Sequence, residues 1–183
     1  MTVKQKSISL TLGGARSGKT AFAEAESLAR AGEAKPFYLA TGQAFDSEMK
    51  DRIDRHKKIR ADRFETIEEP LDLAGTIAAL PPGRVMLVDS IGTWITNLML
   101  AEKNIDAGFE DVLNALAKCP GHVVIVSDET GLGIVPDNAM ARQFRDHIGM
   151  FNQQVAAIAN RVVLVVAGQP LIIKDDGLSV RAE

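Results

Sequence analysis

The sequence contains very little cysteine, few aromatic residues and no block of one charge. Cys119 is the single cysteine among 183 residues, so an internal disulfide and a thiolate zinc site are both excluded. This cysteine usage is typical of the reducing cytoplasm, and we expect the protein to be cytoplasmic. The 21 basic and 24 acidic residues give a net charge of −3, without the basic cluster that nucleic-acid-binding proteins carry. We therefore expect no nucleic-acid partner.

Long hydrophobic runs are also missing. No apolar stretch approaches the roughly 20 residues needed to span a bilayer, so no membrane span is expected. The short alternating segment before Gly13 also lacks the continuous apolar region of a signal peptide. The composition, 46% hydrophobic and 25% charged, is that of a globular protein. Since no linker or repeat divides the chain, residues 1–183 are predicted to form a single domain.

Short apolar runs alternate along the chain with longer segments of helical spacing. The runs carry Val, Ile and Leu at consecutive positions, which is typical of strands buried on both faces of a parallel sheet. The predicted strands are Ser7–Leu12, Phe37–Ala40, Val85–Asp89, Val123–Ser127 and Val162–Ala167, with a fringe strand at Phe64–Ile67 or Leu171–Ile173. The predicted helices are Lys19–Arg30, Glu48–Lys58, Leu71–Leu80, Trp94–Glu102, Phe109–Lys118 and Asn138–Asn160. This alternation favours an α/β fold with a mainly parallel central sheet.

A phosphate-binding motif follows the first predicted strand. The pattern G-x-x-x-x-G-K-[ST] is matched by Gly13, Gly14, Ala15, Arg16, Ser17, Gly18, Lys19 and Thr20. Backbone N–H groups of such a loop bind phosphate at the positive end of the following helix. Lys19 would reach the β- and γ-phosphates, and the Thr20 hydroxyl would bind Mg²⁺. The pattern predicts a nucleoside triphosphate ligand, with a plain glycine-rich turn as the structural alternative.

Asp89 ends the predicted strand Val85–Asp89. P-loop enzymes need an acid at the end of a nearby strand to orient the metal ion, and Asp89 is the candidate for this role. A helix cap or a surface acid at a strand end is the structural alternative.

A strongly charged helix candidate carries His56. Glu48, Arg52 and His56 recur at a spacing of four, which places them on one side of a helix. Cationic neighbours such as Lys57 and Lys58 keep a histidine neutral and attract phosphate. His56 is therefore a candidate nucleophile toward a phosphoryl group, although a boundary histidine in a solvated helix is the commoner case for spacing alone.

A third loop, beginning with Asp128, follows the strand Val123–Ser127. The carboxyl edge of a parallel sheet is where ligands bind. Arg142 and Arg145 on the next helix either clamp a second anionic group or are exposed helix charges. Residues 128–131 also match the D-x-x-G pattern of GTP-dependent switches, but no N-K-x-D motif for guanine follows, which weakens that interpretation.

In combination, these segments resemble the family of bifunctional adenosylcobinamide kinases and adenosylcobinamide-phosphate guanylyltransferases of cobalamin biosynthesis. The resemblance covers most of the chain. The matching segments are the loop at 13–20, Tyr38–Thr41, Glu48-Met49, Arg52-Ile53 with His56, Glu68–Leu71, Val88-Asp89 with Trp94, Thr96–Leu98, Gly131–Pro136, Ala141-Arg142, Phe144–Asp146, Asn152-Gln153 and Val165–Gly168.

The resemblance implies a fold, an assembly and two reactions. The fold is a three-layer, RecA-like P-loop domain, and the family forms oligomers, commonly trimers. In the first reaction, the hydroxyl of the aminopropanol arm of adenosylcobinamide takes the γ-phosphoryl group of ATP or GTP. In the second, GMP passes from GTP to the new phosphate through a guanylyl-histidine, giving adenosylcobinamide-GDP and pyrophosphate.

The resemblance also assigns residues. His56 becomes the nucleophile, while Lys19 and Mg²⁺ stabilise charge on the β- and γ-phosphates. Besides the loop at 13–20, the implied nucleotide contacts are Leu39, Ala40, Thr41, Lys57, Lys58, Ile59, Arg60, Glu68 and Asp89. The chain has Asp128 where members often have Asn, and Ser90-Ile91-Gly92 where they often have Cys-x-Thr. The alternatives are a P-loop kinase for another small hydroxylated substrate and a GTP-binding regulatory protein.

Overall fold

One sheet of seven strands lies at the centre of the computed structural model, which describes residues 6–43 and 62–176. The strands are β1 (Ser7–Gly13), β2 (Phe37–Ala40), β3 (Glu65–Glu68), β4 (Val85–Asp89), β5 (His122–Asp128), β6 (Arg161–Val166) and β7 (Gln169–Asp175). Their spatial order is β3-β2-β4-β5-β1-β6-β7. Neighbouring strands are parallel except β6 and β7, which pair antiparallel. The predicted mainly parallel α/β sheet is therefore confirmed.

Five helices in the described ranges cover the sheet: α1 (Lys19–Ala31), α2 (Leu73–Ala78), α3 (Ile91–Leu100), α4 (Ile105–Lys118) and α5 (Ala139–Ile158). None of these helices combines the length and apolar character needed to span a bilayer. The predicted helix Glu48–Lys58 lies outside the described residues.

Two apolar cores, one on each face of the sheet, give the fold its three layers. Because successive strand residues point to opposite faces, Met86 of β4 packs toward α2–α5 while Leu87 packs toward α1. On the larger side, Trp94, Phe109 and Phe151 join α3, α4 and α5, with ring centroids 4.6 to 5.9 Å apart. The Trp94 indole N–H also donates to the Leu71 carbonyl at 2.9 Å, which fixes α3 against the segment before α2.

Helix starts differ from their predicted positions. α3 begins at Ile91 because the Ser90 side chain caps it, accepting from the Thr93 amide at 3.4 Å. α4 begins at Ile105 after Asn104, which accepts from the Ala107 amide at 3.0 Å. Both fringe strands exist, as β3 and β7, although the apolar pattern predicted one or the other.

Candidate active site

The predicted phosphate-binding loop joins β1 to α1 at the carboxyl edge of the sheet. Gly13 has no room for a side chain, since a Cβ there would lie 2.8 Å from the Val165 carbonyl oxygen. Gly18 has φ of 96°, a left-handed conformation that favours glycine, and directly precedes α1. The Ser17 amide donates to the Gly14 carbonyl at 3.2 Å and closes the turn. The loop therefore presents the positive end of α1 at the sheet edge, which suits an anion.

Lys19 is paired with Asp128 at this edge. Its Nζ lies 2.8 Å from Oδ1 of Asp128 and donates to the Gly14 carbonyl at 3.1 Å. The strand register explains the pairing, because Asp128 ends β5 directly beside Gly13 of β1. Asp128 was expected in a ligand-binding loop, but its ion pair with Lys19 was not predicted. No sequence pattern joins the two residues, because strand pairing brings them together.

Asp89 lies one strand further along the edge than Asp128, because β5 separates β4 from β1. The Tyr38 hydroxyl on β2 donates a hydrogen bond to Oδ2 of Asp89. This contact was not predicted, because only the pairing of β2 with β4 brings the two residues together. A helix cap was the alternative role for Asp89. The structure assigns the cap of α3 to Ser90 instead.

In the segment Leu39–Thr41, the side chains of Leu39 and Thr41 are buried below the edge of the sheet. Leu39 is fully buried in the larger core, and Thr41 is fully buried as well. The Thr41 hydroxyl donates to the Ser90 carbonyl at 2.9 Å and accepts from the Ser90 amide at 3.0 Å. Glu68 ends β3 beside Ala40, so it lies on the same edge.

The proposed nucleophile, His56, and the cationic segment Lys57, Lys58, Ile59 and Arg60 lie outside the described residues. Of the other histidines, His122 is buried and hydrogen-bonded through Nδ1 to the Ser7 hydroxyl at 2.8 Å. His147 packs edge-on against Phe109 at 6.3 Å between centroids. Burial raises the pKa of the Cys119 thiol, so this side chain is a core residue and a poor nucleophile.

The loop after β5 is held by the two arginines of α5. Arg142 Nη1 donates to the carbonyls of Pro136 and Asp137, at 3.0 and 2.7 Å. Arg145 Nη2 donates to the Gly131 carbonyl at 2.9 Å. Arg142 is exposed on the helix, as one of the two interpretations expected, and both guanidinium groups donate to backbone carbonyls of this loop. Binding of an anionic group by these arginines stays a prediction.

Within residues 6–43 and 62–176, no group of three His, Cys, Asp or Glu side chains could hold a metal ion alone. The predicted Mg²⁺ ligands, the Thr20 hydroxyl and the Asp89 carboxylate, are oxygen donors at the loop and the neighbouring edge. Oxygen donors suit Mg²⁺, which keeps several waters and is completed by substrate phosphates instead of an all-protein cage.

The sequence left three interpretations open: the bifunctional family, a P-loop kinase for another substrate and a GTP-binding regulatory protein. A comparison with protein families distinguishes between them. The family described as cobinamide kinase / cobinamide phosphate guanyltransferase matches residues 9–173. The chain belongs to this family. Enzymatic activity is thereby confirmed, and the family resemblance of the sequence motifs is confirmed with it.

Relatives in the family match over almost their whole length. A Pseudomonas aeruginosa protein named bifunctional adenosylcobalamin biosynthesis protein CobP is 41% identical, covering 92% of this chain and 98% of the relative. Proteins named bifunctional adenosylcobalamin biosynthesis protein CobU are similar too. The one from Escherichia coli K12 is 38% identical and the one from Salmonella typhimurium LT2 40%, each over 90% of this chain and 98% of the relative.

Solved structures of other proteins share the fold. One of them, an ATPase domain, aligns with a TM-score of 0.55 at 11% identity, covering 94% of this chain and 78% of that one. Flagellar accessory protein FlaH from Methanocaldococcus jannaschii aligns with a TM-score of 0.50 at 13% identity, covering 93% and 79%. At these identities the likeness concerns the fold alone.

Proposed function

We propose that this member of the family acts on adenosylcobinamide in two steps. It transfers the γ-phosphoryl group of ATP or GTP to the substrate hydroxyl. It then moves GMP from GTP to adenosylcobinamide phosphate through a guanylyl group on His56, giving adenosylcobinamide-GDP and pyrophosphate. The observation that carries this proposal is the family match over residues 9–173, which includes the phosphate-binding loop.

The loop supplies the phosphate site in this proposal. Its N–H groups and the positive end of α1 bind the phosphates, and Lys19 exchanges Asp128 for the β- and γ-phosphate oxygens. Mg²⁺ bound by Thr20 and Asp89 would neutralise phosphate charge. The Tyr38 hydroxyl positions the Asp89 carboxylate for this role. The remaining nucleotide contacts are proposed from the backbone at Leu39–Thr41 and from Glu68.

His56 supplies the covalent step. An imidazole with an ordinary pKa of about 6.5 is mostly unprotonated at neutral pH, so Nδ1 or Nε2 can attack the α-phosphorus of GTP. The new P–N bond replaces the bond to pyrophosphate, which leaves. The phosphate of adenosylcobinamide phosphate then attacks the same phosphorus and frees the imidazole. Lys57, Lys58, Ile59 and Arg60 are proposed nucleotide contacts, and the three cations among them would stabilise charge on the α-phosphate.

We also propose that the enzyme is a homotrimer. The hairpin of β6 and β7 ends the sheet, and its apolar side chains are exposed: Val166 by 58%, Leu171 by 60%, Ile172 by 46% and Ile173 by 58%. A long apolar edge strand is a template for contact with another chain. This surface supports self-association as the family resemblance implies.

Labelled GTP tests the covalent step. The purified enzyme is incubated with Mg²⁺ and GTP labelled at either the α- or the γ-phosphate, then denatured. We expect protein-bound label from the α-position alone, labile to acid and stable to base, and its loss in His56→Ala. His147→Ala is the matched control and should retain the label, since His147 packs on Phe109 in the fold.

Absence of label from both positions would contradict the guanylyl-histidine. Turnover of adenosylcobinamide with ATP would then show whether the kinase step exists without it.

A further inference from the structure

A groove lies beside the phosphate-binding loop, between the segment that follows β5 and helix α5. Its volume is about 470 Å³. Thr130 and Gly131 line one wall, and Arg145 and Gln153 line the other. Glu129 lines the groove, and its amide donates to the carbonyl of Gly13 at 3.1 Å. The groove therefore adjoins the loop that is proposed to bind phosphate.

Beside the charged residues Glu129, Arg145 and Asp146, the groove carries neutral hydrogen-bonding groups. Its lining includes the Thr130 hydroxyl and the amides of Asn152 and Gln153. Asn152 is 8% exposed and donates through Nδ2 to the Asp128 carbonyl at 3.0 Å. Its Oδ1 and the Thr130 Oγ1 are buried without a hydrogen-bond partner among the described residues. A buried oxygen without a hydrogen bond lowers the stability of the fold. If the Thr130 or Asn152 side chain rotates toward the groove, an N–H group of a ligand can donate to this oxygen and remove the cost.

The loop beside the groove exposes an apolar surface. Leu132 is 87%, Ile134 97% and Val135 64% exposed. Exposed apolar groups of this size normally mark a binding surface. The hydrogen bonds from Arg142 and Arg145 to carbonyls of this loop fix the backbone from which these side chains project.

We propose that this groove and the apolar loop bind the corrin ring of the acceptor substrate. The ring carries primary amides at its rim, and a primary amide both donates to and accepts from Thr130, Asn152 and Gln153. The apolar part of the ring lies against Leu132 and Ile134. This inference rests on the proposed function, because it places the acceptor beside the phosphate site.

The position of the groove agrees with the reaction. The hydroxyl that takes the γ-phosphoryl group lies on an arm of the ring, so the ring must be held within the reach of that arm. The groove begins next to Asp128, whose carboxylate contacts Lys19, and therefore satisfies this requirement.

Adjacent glutamines on α5 provide a matched test. Gln153 lines the groove, whereas Gln154 is also exposed and does not line it. In a kinase assay at saturating ATP, we expect Gln153→Ala to raise the KM for adenosylcobinamide about fivefold with kcat little changed, and Gln154→Ala to have no effect.

The apolar loop is tested in the same assay. Leu132→Ser with Ile134→Ser should raise this KM about tenfold, because the ring loses its apolar contact. Binding of GTP and label from α-labelled GTP alone should remain as in the wild type, which shows that the variant is folded and that its nucleotide site is intact.

The outcomes separate the subsite from the proposed function. Unchanged KM values in both variants, with normal wild-type turnover, would overturn the subsite and leave the function standing. If the loop variant has a lower assembly mass and an unchanged KM, the loop makes contacts between copies of the chain. This result would also overturn the subsite. Failure of the wild-type enzyme to use adenosylcobinamide would overturn the proposed function itself.

Discussion

Asp128 holds Lys19 of the phosphate-binding loop through an ion pair, which nucleotide would replace in the proposed function. The Lys19 side chain is only 12% exposed and that of Asp128 30%, so the pair is partly shielded from water. A Cβ at Gly92 would collide with Oδ2 of Asp128, so the first turn of α3 leaves space for the carboxylate because residue 92 is glycine. If Lys19 binds phosphate as proposed, we expect phosphate binding to compete with this attraction between Lys19 and Asp128.

Removing that competition should strengthen nucleotide binding. In Asp128→Asn the shape is kept and the charge is lost, so we expect the Kd of a non-hydrolysable GTP analogue to fall about three- to fivefold at low salt. The gain should shrink as salt rises. Calorimetric titration of the variant against Asp137→Asn, an exposed acid of the next loop, provides the measurement. Weaker binding in Asp128→Asn would instead show that the carboxylate supports the bound nucleotide.

The sequence predicts the contacts between site residues that are adjacent in the chain. It does not predict the contacts that depend on which strands pair. The loop from Gly13 to Thr20 forms one motif, so its spacing predicts its geometry. Lys19 and Asp128 are more than 100 positions apart, and Tyr38 meets Asp89 only across the β2–β4 pair. Apolar patterns predict that strands exist, but their neighbours in the sheet follow from the fold.

Helix starts show the same limit at the scale of the element. Apolar spacing predicted α3 from Trp94 and α4 from Phe109, and it missed that the buried core residue Ile91 already belongs to α3. The helices begin earlier, where polar caps precede them: Ser90 before α3 and Asn104 before α4. Caps carry no apolar signal, and Gly92 and Gly108 further weaken the helical pattern at these starts.

The cap of α4 can be tested directly. Asn104→Ala removes the acceptor for the Ala107 amide and should cost about 1 kcal/mol, lowering Tm by about 2–4 °C for a protein of this size. Asn114→Ala, at an exposed position inside the same helix, should leave Tm unchanged or slightly raised, since alanine favours helix. Thermal unfolding followed by circular dichroism compares the two. Equal losses in both variants would contradict the capping role.

At the scale of the whole molecule, the apolar edge of the sheet predicts an assembly. The fold class followed from the alternation of strands and helices, whereas the sheet order and the exposed edge were visible only in the structure. β7 pairs with β6 alone, and Leu171 and Ile173 point their exposed apolar groups to solvent in the single chain.

If the enzyme is the proposed homotrimer, we expect sedimentation equilibrium to give a mass three times the 19.7 kDa of one chain. Leu171→Lys with Ile173→Lys should lower that mass, because buried lysines at an interface are costly. Leu100→Lys is the matched control, since Leu100 is 55% exposed at the end of α3, away from this edge. A monomeric wild type would contradict the trimer, and a double variant of unchanged mass would place the interface elsewhere.

From the position of β1 in the sheet we expect the phosphate-binding site to be completed late during synthesis of the chain. Both neighbours of β1, the strands β5 and β6, come from the last third of the chain. A nascent chain that ends at Lys118 already contains the phosphate-binding loop and Asp89, but it lacks the strand that joins them. Closing so long a loop has an entropic cost before the β1–β5 contacts form, so we expect folding to be slow for a chain of this length.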